Sequence, residues 1–80
     1  MVYDYSALDG KITEVFSTRG NFAKAMELSE RSVSLKMNGK VPWSQPEISR
    51  ACKLLGIPDE KIVAYFFVVK VQNIEHFSTK

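Results

Sequence analysis

Few side chains of this 80-residue chain could perform covalent chemistry. The only histidine, His76, lies near the C-terminus, and the only cysteine, Cys52, lies on the apolar stripe of a predicted helix, so neither has a partner for nucleophilic or metal-binding chemistry. A lone cysteine in such a position usually packs as a small apolar side chain. The acidic pair Asp59-Glu60 begins a predicted helix, where the helix dipole favours negative charge without any acid–base role. The sequence therefore predicts a protein that is not an enzyme and needs no metal or cofactor.

Electrostatic attraction is the chemistry that the remaining residues offer, because the net charge of +2 is unevenly distributed. Residues 1–18 carry one cationic and three acidic side chains, a net charge of −2: Lys11 against Asp4, Asp9 and Glu14. Residues 19–40 carry five cationic and two acidic side chains, a net charge of +3: Arg19, Lys24, Arg31, Lys36 and Lys40 against Glu27 and Glu30. A solvated helical face often has this composition, and so does a surface that attracts phosphate.

Two short helices joined by a tight turn are predicted over Thr18–Gly39, the segment that carries this positive charge. Apolar residues recur at helical spacing in each helix, and Ser29 is a good N-cap for the second one. The apolar positions are Phe22, Ala23 and Met26 in the first helix, Leu28 in the turn, and Val33 and Met37 in the second helix. Two helices joined this tightly can present one of them to a DNA groove.

Further helices are predicted on either side of this pair. The first helix, which Asp4 or Ser6 could cap, has an apolar stripe formed by Tyr5, Leu8, Ile12, Val15 and Phe16. The fourth helix begins with the capping box Ser44–Glu47, ends at Gly56, and has a stripe formed by Ile48, Ala51, Cys52 and Leu55. Trp43, just before that box, is either a staple over the helix junction or a base-stacking platform.

The C-terminal part of the sequence predicts a fifth helix and a strand. Pro58 and Asp59 start the short helix, with Ile62, Val63 and Phe66 facing inward. The β-branched segment from Phe67 to Val71 then indicates a strand. We interpret residues 1–73 as a single domain and residues 74–80 as a flexible tail.

The segment Thr18–Gly39 resembles, without a gap, the helix-turn-helix of the phage Cro/CI repressor superfamily. Phe22-Ala23 stands at that family's apolar-Ala pair, Leu28-Ser29 at its aliphatic residue and hydroxyl cap, and Asn38-Gly39 at the end of its reading helix. Over roughly residues 3–73, the pattern is also similar to small uncharacterised proteins from phages of Gram-positive bacteria. The resemblance implies a mainly α, lambda-repressor-like bundle of about five short helices.

The same resemblance implies which residues contact DNA. Arg19, at the start of the second helix, would touch a phosphate or an outer base edge, and Asn38 and Lys40 would contact phosphates at the exit turn. The first turns of the third helix would meet base edges, with Arg31 as the main specificity residue because its guanidinium can pair with guanine. The residues at these first turns are Ser29, Glu30, Arg31, Ser32 and Ser34.

Two departures from the family pattern bear on the turn and on the third helix. Glu27 occupies the turn position that usually holds Gly, where the backbone tends to need a positive φ. Lys36 replaces the usual core aliphatic residue three positions after Val33. Leu35 is expected to point away from the Val33 and Met37 core pair, where it would contact either a thymine methyl group or another protein.

We therefore expect a sequence-specific transcriptional regulator, a phage Cro/CI-like repressor, whose third helix reads the major groove of double-stranded operator DNA. The alternative is an antirepressor-like module that keeps the fold but binds another regulator, such as a partner repressor, and the Leu35-Lys36 order favours it. A third hypothesis is a structural fragment without DNA affinity.

The cytoplasm of a bacterial host is the expected location of this phage or prophage protein, because the sequence begins with no signal peptide. Its longest apolar run, Ile62–Val69, has eight residues. A membrane span needs about 20 such residues, so no membrane association is expected.

A homodimer is expected through the C-terminal segment, since paired half-sites about 34 Å apart are the usual requirement for a small DNA-binding module. Phe67, Val69 and Val71 alternate onto one face of the predicted strand, and an unpaired apolar edge needs a covering strand. The alternative is that these side chains pack on the helices of their own chain.

Overall fold

Five α-helices follow one another along residues 3–70, the part of the chain that the computed structural model describes. They are α1 (Ser6–Phe16), α2 (Arg19–Met26), α3 (Glu30–Met37), α4 (Gln45–Leu55) and α5 (Ile62–Phe66), the last preceded by a 3-10 turn over Asp59–Lys61. The predicted mainly α fold is confirmed. No helix within residues 3–70 combines the length and apolar character needed to cross a bilayer.

Side-chain caps set the helix boundaries where the sequence predicts them. The Thr18 hydroxyl accepts a hydrogen bond from the Asn21 N–H at the start of α2, and the Ser29 hydroxyl accepts one from the Ser32 N–H at the start of α3. Ser44 and Glu47 form the complete capping box of α4. At α1 the N-cap residue is Tyr5, whose side chain forms no capping hydrogen bond, so neither Asp4 nor Ser6 is the N-cap; the Asp4 carboxylate instead accepts hydrogen bonds from the N–H and hydroxyl of Ser6, the first residue of the helix.

The core draws side chains from all five helices. Its largest fully buried members are Leu8, Ile12, Phe22, Val33 and Phe66. The fourth-helix stripe is confirmed at Ala51, Cys52 and Leu55, which are buried, and at Ile48, which packs against them. Two predicted inward positions are wrong: Val15 is 44% exposed and Val63 is 66% exposed. Both lie on helices whose buried face is narrower than the apolar pattern suggests.

The predicted C-terminal strand is limited to one antiparallel bridge, between Val69 and Tyr3. The Asp4 N–H donates to the Val68 carbonyl beside it. This segment therefore pairs with the start of its own chain, and the described residues form no sheet. Phe67 and Val69 remain 43% and 45% exposed, whereas Val71 and the predicted tail lie outside the described residues.

Lys36, at the position where the family pattern has a core aliphatic residue, is buried and only 7% exposed. Its Nζ donates to the Pro42 carbonyl at 3.1 Å and lies 3.0 Å from Oε1 of Glu47. The same Glu47 oxygen accepts from the Ser44 N–H at 2.9 Å. The lysine stem thus fills the core position of the missing aliphatic residue, and its ammonium links α3 to the start of α4.

The surroundings of Glu47 act on its pKa in opposite directions. Burial alone would raise the pKa, but the Ser44 N–H and the Lys36 ammonium stabilise the carboxylate and together hold the pKa below its usual range. The ion pair is therefore formed at neutral pH.

Replacing Lys36 tests whether this buried ion pair supports the fold. Lys36→Ala removes both stem and charge and leaves a half-buried carboxylate without its partner, so we expect a loss of about 3 kcal/mol in the free energy of unfolding in urea. Lys36→Met keeps the stem packing and should cost less. Lys24→Ala, at an exposed lysine of α2, is the matched control. A Lys36→Ala protein as stable as that control would contradict this role.

The stability of the wild-type protein should also depend on Glu47 at acid pH. Because the folded pKa lies below the unfolded value of about 4.3 for glutamate, the contribution of Glu47 is fully present above that value and is lost as the pH falls through the folded pKa. Glu47→Gln keeps an oxygen for Ser44 but does not titrate. The stability difference between wild type and Glu47→Gln should therefore be constant at neutral pH and shrink in acid. A difference independent of pH would refute the assignment.

Candidate functional site

The corner between α2 and α3 is built by backbone hydrogen bonds. Glu27 ends α2 in the left-handed region, with φ 62° and ψ 37°. Its N–H donates to the Lys24 carbonyl, and the Leu28 N–H donates to the Ala23 carbonyl. Leu28 packs against the core, and Ser29 then starts α3. The positive φ expected at Glu27 is confirmed, and a non-Gly residue holds it with some strain.

Arg50 of α4 contacts the end of α2 at this corner. Its guanidinium donates to the Met26 carbonyl at 3.3 Å and lies 3.8 Å from the Glu27 carboxylate. The contact satisfies one of the last carbonyls of α2, which has no partner within its own helix. The ion pair is largely exposed to solvent and contributes little by itself.

Residues of α3 and its exit share one exposed face, which we call the α3 face: Glu30, Arg31, Ser34, Leu35 and Asn38. The helical period places these positions on the same side. Glu30, Arg31 and Asn38 are exposed, whereas Ser34 and Leu35 are partly buried. Leu35 lies outside the core cluster, in agreement with the expectation that it points away from Val33 and Met37.

The predicted contact residues next to this face are partly engaged in folding. The Ser29 hydroxyl caps α3 and donates to the Ser32 hydroxyl at 2.9 Å, so these two serines bond to each other. Lys40 is exposed in the exit turn, where its N–H donates to the Leu35 carbonyl at 2.9 Å. Gly39 provides the positive φ of that turn.

Arg19 forms an ion pair with α1 and lines one surface pocket together with Asn38 of the α3 face. Its Nε donates to the Asp9 carboxylate of α1 at 3.2 Å. The Glu30 carboxylate instead lies over the first turn of α2, where a β-carbon added to Gly20 would be 3.4 Å from Oε1. A carboxylate of α3 therefore lies beside the beginning of α2.

These contacts reduce the number of unpaired cations that residues 19–40 expose to solvent. Arg19 is paired with Asp9 and Lys36 is buried against Glu47. Within residues 19–40, the cations that stay exposed without an ion pair are Lys24, Arg31 and Lys40. Sequence reasoning missed Asp9 and Glu47 as partners because both lie on other helices, at separations that no helical period connects.

Burial also changes the pKa values of two groups outside the α3 face. It raises the pKa of the Cys52 thiol, with a further contribution from the Asp59 charge, so that thiol is protonated at neutral pH. It likewise raises the pKa of Tyr5, and nearby Tyr3 adds to the effect. Cys52 is buried, as a small apolar side chain would be.

The chain is similar to a known protein family and to a solved structure. The family model described as "Protein of unknown function (DUF739)" matches residues 1–69. The chain is similar to the solution structure of the modulator of repression (MOR) of the temperate bacteriophage TP901-1 from Lactococcus lactis, with 54% sequence identity and a TM-score of 0.75. The match covers 90% of this chain and 97% of that chain. No curated protein matches the sequence.

Replacing Glu27 measures the strain at the corner. Glu27→Gly removes the left-handed penalty of a side chain and should raise the free energy of unfolding by about 1 kcal/mol. Glu27→Ala is the matched control, because it loses the same weak ion pair with Arg50 but keeps a β-carbon at positive φ. Thermal or urea unfolding of both variants compares them. Equal stability of the two would show that the turn is unstrained.

Proposed function

This chain belongs to the DUF739 family, and we propose that it is a phage regulator that modulates repression by binding another regulatory protein. The similarity to a phage modulator of repression, over nearly the whole of both chains, supports a role in phage repression. An antirepressor-like module that binds a partner repressor was the alternative indicated by the sequence. It now becomes the preferred hypothesis.

The single observation that carries this choice is that Arg19 and Lys36, two of the five cations of residues 19–40, form ion pairs within the chain. A DNA-binding surface gains affinity by neutralising phosphates with lysine and arginine, but Arg19 is paired with Asp9 in a partly exposed ion pair, and Lys36 is buried against Glu47. The Glu30 carboxylate over the first turn of α2 would repel a phosphate approaching there. The α3 face keeps polar, cationic and apolar groups together, a mixture that suits a protein interface.

Binding to operator DNA is the second candidate, because one observation favours it. Arg31 is exposed on the first turn of α3, on the same face as Ser34 and Asn38, and Lys40 is exposed at the exit turn. An arginine at that position can pair with a guanine edge in the major groove. The Cro/CI-like reading of α2 and α3 therefore stays a hypothesis for this chain.

Homodimerisation through Phe67, Val69 and Val71 also stays a prediction. The bridge to Tyr3 occupies one edge of the segment at Val69. A second copy would therefore have to pair with the opposite edge. A cytoplasmic location in the bacterial host likewise stays a prediction.

Salt dependence of binding separates the two candidate functions. We expect the purified protein to bind the repressor encoded in the same phage or prophage genome, with an affinity that falls less than about fivefold between about 50 and 200 mM salt. If Lys24, Arg31 and Lys40 each neutralised one phosphate, the affinity for operator DNA would fall about 40-fold over that range. Isothermal titration against repressor and operator, separately, gives both values. Tight binding to operator alone, with the steep salt slope, would contradict the proposal.

The charge-reversal variant Arg31→Glu provides the control. If the protein binds operator DNA through α3, this variant should abolish operator affinity, whereas Lys53→Glu, at an exposed position of α4, should change it little. Loss of repressor binding in Arg31→Glu, with no measurable operator binding by wild type, would place the repressor on the α3 face.

A further inference from the structure

An open cleft of about 420 Å³ lies where the exit of α3 meets the beginning of the chain and the end of α5. We call it the aromatic cleft, after its five aromatic lining residues: Tyr3, Tyr5, Trp43, Phe66 and Phe67. Clefts of this size, lined by aromatic side chains with a few polar groups, are typical of binding sites. The cleft borders the core, because Trp43 and Phe66 belong to the core and Tyr5 and Ile48 pack against it.

The aromatic rings are held in place by one another. Trp43 and Phe66 meet edge to face with ring centroids 5.7 Å apart, and Tyr3 and Phe67 do so at 5.9 Å. Trp43 and Phe66 are also almost fully buried. Packing in the core restricts the Trp43 and Phe66 rings, which prefer this edge-to-face arrangement, so this part of the cleft floor is formed before anything binds.

Apolar side chains remain exposed at the rim. Val41 is 37% exposed and Phe67 is 43% exposed, and both line the cleft. Exposed apolar groups grouped around a concave surface favour association, because covering them removes apolar area from water.

The charged side chains near the cleft are not balanced between cations and carboxylates. No charged side chain lines it, but exposed Lys40 stands between the lining residues Gly39 and Val41 and forms no ion pair within residues 3–70. Behind the floor, the Lys36 ammonium lies 5.8 Å from the centroid of the Trp43 ring. Asp4, between the two lining tyrosines in sequence, keeps its negative charge, but it accepts hydrogen bonds from Ser6, and Lys70 lies near enough for its positive charge to help lower the pKa of Asp4. Cationic ligands are therefore disfavoured, and an acidic group beside an apolar side chain is favoured.

We infer that the aromatic cleft receives a large apolar side chain from an acidic segment of the partner regulator. The apolar side chain packs on the aromatic floor, and a neighbouring carboxylate of the partner pairs with Lys40. Asn38 belongs both to the cleft lining and to the α3 face, so a partner that covers the α3 face reaches the cleft without a gap. This inference rests on the proposed function, because it takes the partner to be a regulatory protein.

Trp43 is the only tryptophan of the chain, and its fluorescence therefore reports on the cleft. The probe is a synthetic peptide with one phenylalanine flanked by two acidic residues on each side. We expect it to change the Trp43 emission saturably, and we expect the same peptide with lysines in place of the acidic residues to bind at least tenfold more weakly. Equal affinity of the two peptides, or no saturable change with either, would overturn the inference.

Two pairs of matched variants localise the effect. Val41→Glu at the rim should abolish peptide binding, whereas Val63→Glu, at a more exposed valine outside the cleft lining, should not. Lys40→Glu should weaken the acidic peptide at least tenfold, and Lys24→Glu on α2 should leave its affinity unchanged. Equal effects within either pair would show that the peptide binds elsewhere.

The purified repressor separates this inference from the proposed function. If wild type and Val41→Glu bind the repressor equally well, the cleft is not the docking site although the proposed function stands. If the repressor does not bind wild type, the proposed function fails. Saturable quenching of Trp43 by operator duplex at the same concentration would assign the cleft to DNA and overturn the inference.

Discussion

The ion pair between buried Lys36 and half-buried Glu47 ties α3 to the start of α4. Lys36 fills a core position of α3, and its ammonium reaches the Glu47 carboxylate, which also accepts a hydrogen bond from the N–H of Ser44, the N-cap residue of α4. One carboxylate thus closes the capping box and neutralises a buried cation, which a buried charge requires. The same lysine lies behind the Trp43 ring, so the ion pair also positions the floor of the aromatic cleft.

Local patterns in the sequence predicted most of this fold, because they are read over a single turn or a single helical period. Thr18, Ser29 and the Ser44–Glu47 box start helices where expected. The positive φ at Glu27 was also predictable from its position in the turn. Val15 and Val63 were predicted wrongly because apolar type alone does not say how wide a buried face is. The C-terminal segment followed its β-propensity only as far as one bridge to Tyr3.

The candidate site was less predictable, because its character depends on contacts between helices distant in sequence. Arg19 and Lys36 count as positive charge in the sequence, yet Asp9 of α1 and Glu47 of α4 neutralise them in the fold. The aromatic cleft likewise joins residues from the first and last described segments of the chain with the exit of α3. The helix pair α2 and α3 has a sequence pattern typical of DNA binding. The unpaired charges and apolar groups of the α3 face and the aromatic cleft nevertheless suit a protein partner.

Chemical-shift mapping of the isotope-labelled protein tests most directly whether the α3 face binds a regulator rather than DNA. The backbone amide signals of Arg31, Leu35 and Asn38 are followed during titration with the purified repressor and, separately, with operator duplex at the same concentration and salt. The account predicts that stoichiometric repressor shifts or broadens these signals and that operator DNA leaves them unchanged. Shifts of the same signals by operator DNA, with none caused by the repressor, would contradict it.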